Sequence, residues 1–331
     1  MRAATLARSG APCERVAAPT AIRPPHSRRV MPVLDAKDYL LIALAAFAIF
    51  YVVRLTLALR AERAVAPAER LSPDTTGVAI GFVSNFFDTL GIGSFATTTA
   101  MWRALKKVRD ELIPGTLNVG HTPPTIVQAY IFTKLVPVEP MTLISMIAAA
   151  VAGAWLGASL VSGWSRRRVQ LGMGSALLAA ATLMLLAQLN LIPAGGTLLA
   201  LEGPKLMIGL VGNFVLGVLM TMGIGLYAPC MILVYLLGMT PLAAFPIMMG
   251  SCAFLMPVAS ARFMTARRFD VPAALGLFVG GIPAVLIAAF IVKSLPLGAV
   301  RWLVVVVVVY TAYQMLRAGA REDAPMRAVQ A

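Results

Sequence analysis

The chain has 331 residues, of which 59% are hydrophobic and only 13% charged. That balance excludes an ordinary soluble domain, in which about a quarter of residues are charged, and the continuous rather than alternating apolar runs exclude a transmembrane barrel. The net charge of +14 is carried by the N-terminal stretch and by short loops between apolar runs, where it sets orientation and meets anionic headgroups; it gives no sign of a nucleic-acid partner.

Residues 1–38 are rich in Arg, with only Glu14, Asp35 and Asp38 acidic. They lack the apolar core of a secretory signal and read as a basic tail without fixed structure, with Met31 as the favoured start. A leading helix is expected over 39–59, with Arg54 near one end. A first unit, 76–192, holds spans at 76–102, 112–134, 140–163 and 169–192. A loop, 193–205, leads to a second unit, 206–317, with a long apolar stretch at 206–238 and spans at 241–261, 272–293 and 299–317. Residues 318–331 form a basic C-terminal tail. The expected fold class is an all-α polytopic membrane protein of about 8–9 transmembrane helices: a leading helix, then two repeated four-helix units with broken helices. Trp102, Trp164 and Trp302 fall near span ends as interfacial anchors, while Trp155 is mid-span and expected to pack on a neighbour.

Orientation has two solutions. Arg103, Lys106, Lys107 and Arg109 in one loop and Arg166–Arg168 in another suit a cytoplasmic N-terminus and single-pass spans. Continuing that count puts Arg262, Arg267 and Arg268 outside. Two passes within 206–238 return them inside, at the expense of equal span counts in the two units.

The same glycine-broken segment occurs twice. Gly81–Ala96 reads GFVSNFFDTLGIGSFA and Asn213–Ala228 reads NFVLGVLMTMGIGLYA. At one constant offset, Phe82/Phe214, Val83/Val215, Thr89/Thr221, Gly91/Gly223, Gly93/Gly225 and Ala96/Ala228 coincide. The register continues through Pro114/Pro246 and Pro140/Pro272. Paired glycine-broken apolar segments in corresponding halves are a pointer to a transporter's binding site. A helix restarted after Gly-Ile-Gly presents unpaired N–H groups and a positive dipole end, which suit an anion.

The candidate substrate residues are therefore Gly91, Gly93, Gly223 and Gly225 at the breaks, Ser94, Thr97, Thr98 and Tyr227 just after them, and Asn85, Asn118 and Asn213 as polar groups at membrane depth. Asp88 is the acidic residue inside an apolar span and a functional candidate by default. It reads equally as an ion- or proton-coupling group or as a cap of the helix break. Its counterpart is Met220, so the two halves differ chemically. The third span, LIPGTLNVGHTPPTIVQAYIF, is expected not to be one unbroken helix because of Pro114, Pro123 and Pro124. It carries His121, a second coupling candidate, beside Thr122, Thr125 and Gln128. Cys230 and Cys252 read as packing residues. Neither a metal-ligand spacing nor a cofactor motif is present.

The layout resembles the TauE/SafE sulfite-exporter family of membrane transporters over about residues 76–317. The residues that carry the resemblance are GFVSNFFDTLGIGSF and GVLMTMGIGLYAP, the basic exit ARFMTARRFDVP, and the closing stretch GGIPAVLIAAFIVKSLPLGAVRWLVVVVVVYTAYQML. The resemblance implies a carrier of small sulfur-containing anions such as sulfite or organosulfonates, generally outward. The leading reading is a secondary transporter of a small anion across the inner or plasma membrane, working by rocking or gating around the breaks. A passive anion channel and a carrier for a small organic carboxylate are the alternatives. No GxxxxGK[ST], HExxH or GxSxG occurs, so an enzyme is not expected. The expected partners are the anionic substrate and the lipid bilayer; the oligomeric state is left open.

Overall fold

A computed structural model describes residues 35–64, 71–109, 111–160, 166–189, 191, 196–220 and 225–321. The basic tails at 1–34 and 322–331, Trp164 and Gly223 lie outside the described residues. Among the described residues the protein is all-helical, with α1 Ala36–Arg63, α2 Thr75–Thr89, α3 Ser94–Leu105, α4 Ile113–Leu135, α5 Pro140–Leu160, α6 Arg166–Gln188, α7 Gly203–Met220, α8 Tyr227–Leu236, α9 Ala244–Thr265, α10 Val271–Ser294 and α11 Leu297–Arg321. Six stretches are long and apolar enough to cross a bilayer: Ala36–Arg63, Gln170–Gln188, Gly203–Met220, Pro241–Thr265, Val271–Ser294 and Trp302–Ala320. Local chemistry starts several helices cleanly. Asp35 and Asp38 form a capping box on α1, Asp74 accepts from the Gly77 N–H at α2, and Asp270 accepts from the Ala273 N–H at α10, each supplying an acceptor to otherwise orphan donors.

The two broken segments do not run straight through. Asp74, just before α2, is ion-paired with Lys107, just after α3, so α2 and α3 form a hairpin whose ends share one face of the molecule. The second segment does the same from the other face. After α8, Gly238 accepts from the Leu198 N–H at 3.2 Å and Leu198 accepts from the Thr240 N–H at 3.0 Å, beside the entry to α7. The single-pass count over 76–102 is thereby corrected: the chain turns back at Gly91–Gly93, between α2 and α3. The physical reason is that the Gly91 φ of 98° and the Gly93 φ of 88° reverse the backbone in a conformation that other residues rarely adopt.

With both segments folded as hairpins, the ends of α1, α3, α9 and α11 and the starts of α2, α4, α6 and α10 gather on one face. That face carries Arg63, Arg103, Lys107, Arg109, Arg262, Arg267 and Arg268. Glu62 pairs with Arg267 there at 3.9 Å. The start of α1 lies on the opposite face, where Asp38 meets Lys134 at 3.7 Å, contrary to a count that groups it with the arginine-rich loops.

Helix pairing is set by small residues. α2 packs along α10, and α7 along α5. A Cβ on Gly81 would meet the Leu277 backbone, and one on Gly217 would meet the Ala150 carbonyl. Glycine is therefore required for backbones this close, the usual device where lipid removes any hydrophobic drive between helices. α4 and α9 cross the centre, with Phe132 stacked on Phe245 at 5.1 Å between centroids, and α6 pairs with α11 at the periphery.

α4 overturns one expectation. Ile113–Leu135 is a continuous helix. Pro114 sits in its first turn, where the missing N–H costs little. Pro123 and Pro124 lie in its interior and remove the donors that would reach Val119 and Gly120. The Tyr51 hydroxyl on α1 donates to the Val119 carbonyl at 2.5 Å and replaces one of them. Two tryptophans also depart from expectation. Trp102 is fully buried rather than interfacial, and Trp155 is 75% exposed, on the outer surface and not against a neighbour.

Candidate functional site

The hairpin tips converge on α4, and the convergence is made by one side chain. Gln128, fully buried, donates from Nε2 to Asp88 Oδ2 at 3.0 Å and to Thr89 Oγ1 at 2.9 Å, both at the end of α2. Its Oε1 accepts from the Tyr227 hydroxyl at 3.1 Å, at the first residue of α8. Gln128 thus uses both donors and its acceptor to tie the first break to the second. An amide is suited to this because it offers donor and acceptor on one rigid plane. Tyr227 begins α8 and Pro229 lies in the same first turn, a position that tolerates proline.

Asp88 closes the first break. Its carboxylate accepts from Gln128 and lies beside the Ser94 hydroxyl and backbone N–H. Ser94 is the first residue of α3, and Gly93, at its N-cap, offers no side chain. Asp88 therefore stands across the turn from the start of α3, on the side where an N-cap residue's acceptor ordinarily lies.

One turn earlier on α2, a second network runs through His121. Asn85 Nδ2 donates to the Gly81 carbonyl at 2.7 Å, which leaves Asn85 Oδ1 facing His121 Nδ1 at 3.0 Å. His121 then carries a proton on Nδ1, and its Nε2 lies 3.1 Å from the Thr98 hydroxyl. The imidazole is held between α2 and α3 with both nitrogens in use. Phe95 lies over the ring at 5.9 Å between centroids.

The second half contributes different chemistry. Gly91 faces the Met231 and Met248 side chains. Cys252 Sγ lies 3.7 Å from Met220 Sδ, and Cys230 is fully buried in the same core cluster. Where the first half presents carboxylate, amide and hydroxyl groups, the second presents thioether and thiol.

Not every expected residue joins the site. Thr97 donates to the Ser94 carbonyl at 2.8 Å and so turns into its own helix. Asn118 donates to the Pro114 carbonyl at 2.9 Å, near the basic face and away from the breaks. Asn213 donates to the Met146 carbonyl at 2.7 Å and approaches Ser251 Oγ at 3.4 Å, so it belongs to the α5–α7–α9 contact. Its Oδ1 is buried without a protein partner. Gly93 and Gly225 both leave open space where a Cβ would stand.

Asn85, Asp88, Ser94, Thr98, His121 and Tyr227 do lie in the connected networks. Gln128 and Thr89 are the additions: Gln128 appeared in the sequence only as part of a polar helical face, and its reach to both breaks depends on the hairpins. Among the described residues, no group of three or more His, Cys, Asp or Glu side chains is arranged to hold a metal ion.

The family model described as sulfite exporter TauE/SafE matches residues 29–184. The chain is similar to that family over those residues. The match takes in the leading helix, the first hairpin with Asp88, and α4 with His121 and Gln128. No curated protein matches the chain, and no solved structure does. The first-half polar centre falls inside the matched region.

Proposed function

We propose that this protein is a secondary transporter for a small anion, in the first instance a sulfur-containing oxyanion or organosulfonate, carried outward across the inner membrane. The family description, sulfite exporter, supports the substrate class. The observation that carries the reading is the pair of hairpins joined through Gln128, one entering from each face. Broken helices that meet near the midplane are the arrangement by which carriers hold a substrate. The tips leave space at Gly93 and Gly225, and the start of a helix such as α8 offers backbone donors to an anion.

On this reading the units 76–192 and 206–317 are inverted repeats, and rocking of one against the other exposes the centre alternately. The arginine-rich face is cytoplasmic, as the positive-inside rule favours, so α1 begins on the outer side. Asp88 serves first as the cap of α3. Coupling to a proton or cation through Asp88 or His121 requires it to leave that network during the cycle.

The test is flux in proteoliposomes, comparing sulfite, sulfate, thiosulfate, organosulfonates and carboxylates, with and without a pH gradient. Saturable flux of a sulfur oxyanion supports the proposal. Unsaturable anion flux identifies a channel, preference for carboxylates identifies the alternative carrier, and preference for cations or neutral solutes overturns the reading.

A further inference from the structure

We infer that the groove between α4 and α10 on the lipid-facing perimeter is a binding site for one anionic phospholipid. The two helices run in parallel, so their last turns end together on the face opposite the arginine-rich loops, and each last turn carries a lysine, Lys134 on α4 and Lys293 on α10. Between them lies a groove of about 300 Å³ lined by Ile131, Leu135, Leu286, Ala289 and Phe290 with both lysines at its margin.

The chemistry of this groove is graded by depth in a way that matches a phospholipid. Its wall is aliphatic and aromatic, and Phe290 is 72% exposed and Leu286 53% exposed, which in a membrane means contact with acyl chains. Its mouth carries two ammonium groups at the level where both helices end. Basic pockets between transmembrane helices select anionic headgroups, with an attraction that each lysine strengthens. Lys134 lies 3.7 Å from Asp38 while 54% of its side chain remains exposed, so the pair fixes its position and leaves donors for a phosphate. Lys293 is exposed and has the rest of its stem on the groove wall, where long basic side chains cover apolar surface while the charge stays at the interface. This surface combines an apolar wall with two lysines that line the same groove.

The occupant is committed to a lipid and not to a free phosphate, because five of the seven lining residues are apolar and a soluble anion would use only the mouth. The site is separate from the hairpin tips and stands independently of the transport reading.

The test uses the full chain purified in neutral detergent and supplemented with phosphatidylglycerol, with phosphatidylcholine, or with inorganic phosphate alone. Native mass spectrometry and thermal unfolding are the readouts. One retained phosphatidylglycerol and a higher unfolding temperature with phosphatidylglycerol than with phosphatidylcholine are expected. The Lys134→Gln and Lys293→Gln variants should each weaken phosphatidylglycerol retention by roughly fivefold, and the double variant should bind both lipids alike. Lys205→Gln, on the same face but outside the groove, should keep the preference and serves as the control for folding. Equal retention of both lipids by the unmodified protein, an undiminished preference in the double variant, or full stabilisation by inorganic phosphate alone would each overturn the proposal.

Discussion

The Tyr227 hydroxyl donates to Gln128 Oε1 at 3.1 Å, while the amide nitrogen of the same Gln128 donates to Asp88 and Thr89. One α4 side chain therefore senses both hairpin tips. Buried interhelical hydrogen bonds in membranes average about 0.6 kcal/mol, with a maximum near 1.7. Losing all three should destabilise the protein by about 2 kcal/mol. Gln128→Leu is expected to lower the unfolding temperature by several degrees and to abolish flux. Tyr227→Phe removes one bond and should cost roughly a third as much stability. Equal effects of the two variants would show that Gln128 does not bridge the tips.

Asp88 acts as the cap of α3, and that role makes a distinct prediction. Asp88→Ala leaves one Gln128 donor without its carboxylate acceptor, and a buried unpaired polar group costs about 1–3 kcal/mol. Asp88→Asn keeps an oxygen for Ser94 but opposes one amide nitrogen to the Gln128 donor. Restoring complementarity with Gln128→Glu in the Asp88→Asn background should recover much of the stability. If the double variant is also active without a pH gradient, Asp88 is a cap and not the coupling group; if it is stable but loses only the proton-driven component of flux, coupling runs through this carboxylate.

At the base of the first hairpin, the Lys107 ammonium holds the Asp74 carboxyl below its ordinary range, with the Gly77 N–H adding to the effect. A carboxyl depressed by folding contributes stability above its unfolded value of about 3.9 and loses it as pH falls through the lower folded value. Asp74→Asn preserves the cap and removes the exposed ion pair, a change of about 0.2–1 kcal/mol. Thermal unfolding of the two proteins should therefore differ slightly at pH 7 and converge towards pH 3. Asp74→Ala should cost about 1 kcal/mol more than Asp74→Asn at neutral pH.

The sequence made the break at Gly91–Gly93 and the polar first half legible because they rest on residue identity and spacing. The first hairpin was not legible, and the second was legible only as one of two solutions for the orientation. A glycine can kink a helix or reverse it, and the Asp74–Lys107 and Leu198–Gly238 contacts that mark reversal join residues far apart in sequence. Asn118 and Asn213 look equivalent to Asn85 in composition, yet only Asn85 faces His121, because helical phase and neighbouring helices decide direction. Gln128 was read as part of a helical face because its partners come from two other elements. The continuity of α4 was hidden for the same reason: the group that compensates for its prolines lies on α1.

That compensation can be tested as a coupled pair. The Val119 carbonyl has no helical donor four or five residues on, since both positions are proline, and the Tyr51 hydroxyl fills the gap. Tyr51→Phe in the natural background should leave a buried carbonyl unpaired and cost about 1–3 kcal/mol. Pro123→Ala restores an N–H within reach of Val119 and makes the phenol redundant. Tyr51→Phe should therefore be much milder in the Pro123→Ala background, with a coupling energy of about 1 kcal/mol or more in a double-mutant cycle measured by unfolding in detergent. Additive effects would mean that Tyr51 stabilises the α1–α4 contact through packing alone, and that the helix tolerates its two prolines without the phenolic donor.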